Sequence, residues 1–170
     1  MDSASALRRF RIAMGLFIVG LILSGVTAFP LLSEMKLLTH FLGLDGASSP
    51  MGFSGLSFWI LTVRFGLENI YREYPWIAYG TDWLAFGHIV IALFFVAALF
   101  RPEESRSTLY VGIIACALVL PLALICGPIR GIPFYWRVID SSFGILGVLP
   151  LVYSLRLLSL IERSRVVKQT

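Results

Sequence analysis

The sequence predicts an all-α, polytopic membrane protein: a four-helix bundle with one or two amphipathic helices on the outer face between spans one and two. Three observations carry this expectation. Of 170 residues, 58% are apolar and 14% charged, against about 45–50% and about 25% in soluble domains. Mean hydropathy is +0.85. The apolar excess is also uneven, because long uncharged runs alternate with short charged stretches. Residues 1–170 read as a single integral membrane domain.

Four runs reach the roughly 20 helical residues needed to cross a hydrocarbon core of about 30 Å. They cover residues 12–32, 76–100, 109–126 and 138–160. Pro30, Tyr74-Pro75, Arg101-Pro102 and Gly127-Pro128 punctuate them. The first run follows basic residues, as a cleaved signal peptide would, and Val26-Thr27-Ala28 resembles a cleavage site. Its length exceeds the usual apolar region of about 7–15 residues. Ala13, Gly20, Ser24 and Thr27 also lie close to one helix face, as in packed transmembrane helices. Both features favour a retained span.

Lys and Arg placement sets the orientation. Arg8, Arg9, Arg11, Arg101, Arg106, Arg156, Arg163, Arg165 and Lys168 fall on one side, nine in all; Lys36, Arg64, Arg72, Arg130 and Arg137 make five on the other. The expectation is a multi-pass protein of the cell membrane with both termini cytoplasmic. The net charge of +4 does not point to nucleic acid, since the basic residues flank apolar runs and form no stripe on a polar face.

The connection 33–75 is too long to be a structureless loop. Leu38, Phe41 and Leu42 continue a helical spacing from Leu31 and Met35. Leu56, Trp59, Ile60, Val63, Leu67, Ile70 and Tyr71 make a longer apolar face, opposed by Arg64, Glu68, Arg72 and Glu73. This predicts two amphipathic helices separated by a Gly/Ser/Pro turn over 43–55. The rival is a fifth span around 53–70, which Arg64 and Glu68 make costly.

Ionisable residues within spans are the functional candidates. Thr81, Ala85, His88 and Ala92 recur on one face of span two, so His88 faces other helices. It could hydrogen-bond between helices, ligate haem, contact a quinone or relay protons. His40 is the only other histidine and lies in the outer connection, a poor partner for bis-histidine haem. Asp82 and Asp140 sit in the first turns of spans two and four. Charge pairing is expected for them, Arg137 with Asp140 at i,i+3 and Arg130 with Asp82 or Asp140.

Residues 126–140 form the densest motif: Gly127, Pro128, Arg130, Gly131, Pro133, Phe134, Tyr135, Trp136 and Arg137 in a tight outer hairpin. Tyr135 and Trp136 suit the headgroup level. With Thr81, Asp82, Ser141 and Ser142 they are expected to line a cup suited to an anionic head group. Ordinary catalytic templates are missing, with no nucleophile elbow, phosphate loop, paired-His motif or Cys-x-x-Cys. Cys116 and Cys126 are ten residues apart on one helix, a rise of about 15 Å, too far for a disulfide. No metal-ligand spacing is present.

Two stretches carry a resemblance. Tyr79-Gly80-Thr81-Asp82-Trp83-Leu84-Ala85-Phe86-Gly87-His88 and Cys126-Gly127-Pro128-Ile129-Arg130-Gly131-Ile132-Pro133-Phe134-Tyr135-Trp136-Arg137 resemble small bacterial four-helix integral membrane proteins of no known activity. The resemblance implies a fold but assigns no residue a role. Vitamin K epoxide reductase-like proteins also have compact four-helix cores but require a Cys-x-x-Cys pair, which this sequence lacks.

The expected role is binding or accessory, through an outward-facing site of Thr81, Asp82, His88, Arg130, Tyr135, Trp136, Arg137 and Asp140. A lipid head group, a quinone, a membrane-protein partner or a second copy would occupy it. The alternative is a membrane redox protein or enzyme using His88 with Asp82, Asp140 and Arg130, with haem or quinone as cofactor.

Overall fold

The computed structural model describes residues 3–169, with side chains through Ser164. The side chains of Arg165 and Lys168, both counted in the charge balance, lie outside the described residues. The fold is all-helical, 86% helix with no strand among the described residues. Four helices are long and apolar enough to cross a membrane: Ser3–Ala28, Pro75–Phe100, Arg106–Ile129 and Phe134–Ser164.

Helix α1 covers Ser3–Ala28 and α2 covers Leu31–Phe41. The first apolar run therefore stops at Ala28, and Leu31 and Leu32 open the next helix. Pro30 is the cause, since it has no N–H to bond residue 26 and its ring crowds that carbonyl. Its own carbonyl instead accepts the Glu34 N–H at 2.9 Å. Helix α2 ends where Gly43 takes φ +67°. The Gly43 and Leu44 N–H groups then return to the His40 and Thr39 carbonyls, a left-handed cap that glycine favours.

Helix α3 covers Gly55–Glu73 and is not among the four spanning candidates. Tyr74, held extended by the following proline, stops it. A 3-10 turn at Pro75–Ile77 leads into α4, Ala78–Phe100. Pre-proline Arg101 breaks α4, a second short turn covers Pro102–Glu104, and α5 runs over Arg106–Pro121. A π-helical turn at Leu122–Cys126, the single turn α6 at Gly127–Ile129, and α7 at Phe134–Gln169 complete the chain.

The chain divides into two compact units. One contains the chain up to Leu21 and from Ile91 onward; the other is Ile22–Val90. The first unit is centred on Phe10, Met14, Leu109, Leu151 and Leu158, all fully buried. The Phe17 and Phe95 rings meet edge to face at 4.8 Å. Small residues bring its helices close. A methyl group on Gly144 would strike the Cys116 carbonyl oxygen, and one on Gly147 would come within 2.9 Å of Cys116 Sγ. One on Gly112 would come within 2.7 Å of the Phe95 ring. Such approaches replace the hydrophobic drive that is missing between apolar helices in lipid.

In the second unit, Gly25 gives α1 its close approach: a methyl group there would lie 2.7 Å from the Ala85 carbonyl oxygen and 3.2 Å from His88 Cβ. The expected stripe on α1 is therefore corrected. Ala13 is buried, but Gly20 and Thr27 are exposed, and Gly25 makes the contact instead. Helices α2 and α3 meet through charge. Glu68 Oε1 accepts from Arg64 Nε at 3.3 Å and pairs with Lys36 Nζ at 3.4 Å. Arg64 Nη1 donates to Thr39 Oγ1 at 3.3 Å, and Thr39 is fully buried.

Candidate functional site

The eight expected site residues divide between the two units. Arg130, Tyr135, Trp136, Arg137 and Asp140 belong to the first; Thr81, Asp82 and His88 belong to the second. Each set is described by itself.

In the first unit, the hairpin is shaped by a proline followed by glycines. Pro121, inside the α5 helix, supplies no N–H, and a wider π-helical turn follows it over Leu122–Cys126. The chain then tightens. Arg130 N–H bonds the Cys126 and Gly127 carbonyls, both at 3.1 Å, and Ile132 N–H bonds the Gly127 carbonyl at 3.0 Å. Gly131, at φ +70°, makes the reversal. Pro133 opens α7, its carbonyl accepting from the N–H groups of Trp136 and Arg137 at 3.1 Å.

Arg137 is the central side chain of this hairpin. Its aliphatic stem lies on Gly127, where any Cβ would collide with Arg137 Cγ and Cδ. Its guanidinium carbon sits 5.3 Å from the Phe134 ring centroid, within cation–π range. Nε is shielded from solvent and has no hydrogen-bond partner. The expected ion pair with Asp140 is absent among the described residues. The Arg137 stem is instead taken up by Gly127 and its guanidinium lies against the Phe134 ring. Arg130 is exposed and is not paired with Asp140 either. Ser141 and Ser142 donate to carbonyls of their own helix, Arg137 O at 2.8 Å and Ile139 O at 2.6 Å. Their hydroxyl protons are thus engaged locally. Tyr135 is exposed and Trp136 half-buried.

In the second unit, Thr81 donates to the Ala78 carbonyl at 2.7 Å, with Tyr71 Oη at 3.4 Å from its hydroxyl. Asp82 is half-buried and has no ion pair among the described residues. The His88 hydrogen bond is 2.9 Å, from Nδ1 to the Leu84 carbonyl. It runs within α4, from one turn to the next. Donation from Nδ1–H leaves Nε2 as the open ring nitrogen. His40 Nδ1 lies 2.7 Å from Asp45 Oδ2, which ties it to its own loop. No group of three or more His, Cys, Asp or Glu able to hold a metal ion occurs among the described residues.

Two polar constellations escaped the sequence. In Lys36–Thr39–Arg64–Glu68, only Arg64 and Glu68 show as an i,i+4 pair; their α2 partners are more than twenty residues away. Arg106 Nη2 reaches Glu162 at 2.6 Å and Ser159 at 3.2 Å, joining α5 to α7. No local spacing announces that contact.

No family model, curated protein or solved structure matches this chain.

Proposed function

We propose that this chain is a multi-pass protein of the bacterial inner membrane, a four-helix bundle with both termini cytoplasmic. In this reading α2 and α3 lie as amphipathic helices on the outer face, and the chain belongs with the small bacterial membrane proteins it resembles. Its role is binding or accessory, through an outward-facing polar and aromatic site at the α6–α7 hairpin. The orientation rests on the nine-to-five distribution of Lys and Arg.

One observation carries the functional reading: Arg137 is held on a glycine and an aromatic ring, with a shielded Nε and no acidic partner among the described residues. A guanidinium taken partly out of water without a counter-charge is costly. Structural arginines normally avoid that cost by pairing. An anionic or strongly accepting group from outside the chain would supply the missing partner, and a guanidinium fork suits phosphate or carboxylate. Arg130, on the same hairpin, adds a second positive charge. A lipid head group, a quinone carbonyl or an acidic residue of a partner subunit fits this chemistry.

The test is native mass spectrometry of the detergent-extracted full chain. Wild type should retain a bound lipid, quinone or partner mass, and Arg137→Gln and Arg130→Ala should each deplete it about fivefold or more. Equal retention in all three would refute the hairpin as a binding site.

A second reading is favoured by His88, whose Nε2 is left open by the Nδ1 bond to Leu84: a membrane redox protein or enzyme in which this nitrogen meets haem or a quinone. A Soret band in purified protein, abolished by His88→Ala, would support the haem form. Its absence would remove that form.

A further inference from the structure

The first unit contains a groove outside the hairpin, with a volume of about 410 Å³. Its walls are α1, through Arg9, Ile12 and Leu16, and α7, through Leu149, Pro150 and Tyr153. The α1 residues recur at three- and four-residue intervals and so share one helix face. The two walls run antiparallel. Phe17 approaches the position a methyl group on Gly147 would take, while Arg9 shares the groove with Tyr153. Arg9 and Tyr153 therefore mark one end, and Leu16 and Leu149 the other.

This gives the groove a graded polarity. One end is lined by Arg9 and Tyr153, and the remainder is aliphatic. Arg9 has no ion-pair partner and Tyr153 no hydrogen-bond partner among the described residues. No Asp or Glu lines the groove, and Arg8 and Arg11 flank Arg9 in sequence. From Arg9 to Leu16 the helix rises about 10 Å, within the roughly 15 Å of one hydrocarbon leaflet. Both walls are helices long and apolar enough to cross a membrane.

We propose that this groove binds one anionic glycerophospholipid. An acyl chain lies along Ile12, Leu16, Leu149 and Pro150, and the phosphodiester is held by Arg9 and the Tyr153 hydroxyl. The grading matches a lipid that enters from its own leaflet, and the uncompensated arginine selects negative charge. The site is separate from the hairpin: it shares none of its residues and tests independently of it.

The experiment places the full chain in nanodiscs of equimolar phosphatidylglycerol and phosphatidylcholine, then reads lipid retained on native mass spectrometry. Wild type should keep one phosphatidylglycerol in preference to phosphatidylcholine. Arg9→Ala should lower that retention about fivefold, from loss of one arginine–anion attraction. Leu149→Trp, at an exposed wall position, should block retention by filling the groove. Arg101→Ala, outside the groove, should leave it unchanged. Equal retention of both lipids, retention of neither, or insensitivity to Arg9→Ala overturns the proposal. So does a dimer that Leu149→Trp dissolves, which would make a second copy the occupant.

Discussion

The α2–α3 pair and the α6–α7 hairpin each place an arginine in a half-buried setting, and they treat it in opposite ways. Arg64 donates to Glu68 and to buried Thr39, while Lys36 adds a second cation on the same carboxylate. Arg137 has a glycine beneath it, a phenyl ring beside it and, among the described residues, no acid. A satisfied charge explains itself as structure. An unsatisfied one stores a demand that a ligand can meet, so the two arginines should respond differently to substitution.

The largest expected effect lies in the paired region. Glu68→Gln removes the acid that Arg64 and Lys36 share. Breaking a fully buried pair costs about 3–5 kcal/mol, and partial exposure of this one reduces the expectation to about 2–3 kcal/mol. Thermal unfolding in detergent, followed by circular dichroism, should show the loss. A change within error of wild type would mean that the α2–α3 contact does not depend on the ion network.

A smaller effect should appear at the hairpin, through packing. Gly127→Ala puts a methyl group where the Arg137 stem lies. Overpacking of this kind costs about 1–3 kcal/mol, here nearer 1–2 kcal/mol because the stem is flexible and can shift. The double variant Gly127→Ala/Arg137→Ala should recover most of the loss, since the second change removes the colliding atoms. Additive costs in a double-mutant cycle would show that Gly127 is needed for the turn itself.

The same contrast explains what the sequence could and could not disclose. Four helices long and apolar enough to cross a membrane were legible because uncharged runs and prolines are local features, and so was the helical pattern of 33–75. The end of the first helix was set too late, because apolar periodicity runs through Pro30 while the backbone does not. On α1 the close contact falls to Gly25 and not to the expected stripe, since small residues alone do not say which helix face is covered. The pairing of Arg137 with Asp140 rested on i,i+3 spacing, whereas the Arg137 stem packs on Gly127 of another element, which that spacing does not show. Arg106 with Glu162, or Thr39 with Arg64, depends on tertiary placement that no spacing encodes.

The smallest effect expected is at His40 and Asp45, and it separates proximity from energetic weight. Their atoms are 2.7 Å apart, closer than any contact of Arg64, yet both side chains are more than half exposed. Water competes for each partner and screens their attraction, so exposed pairs of this kind contribute about 0–1 kcal/mol. Asp45→Asn keeps a side-chain oxygen that can accept the same hydrogen bond and removes only the charge. Its unfolding midpoint should match wild type to within about 0.5 kcal/mol, and raising the salt concentration should narrow even that gap. A loss as large as that of Glu68→Gln would mean that the loop after α2 is held by charge. The distinction between α2–α3 and the hairpin would then rest on more than whether an arginine finds an acid.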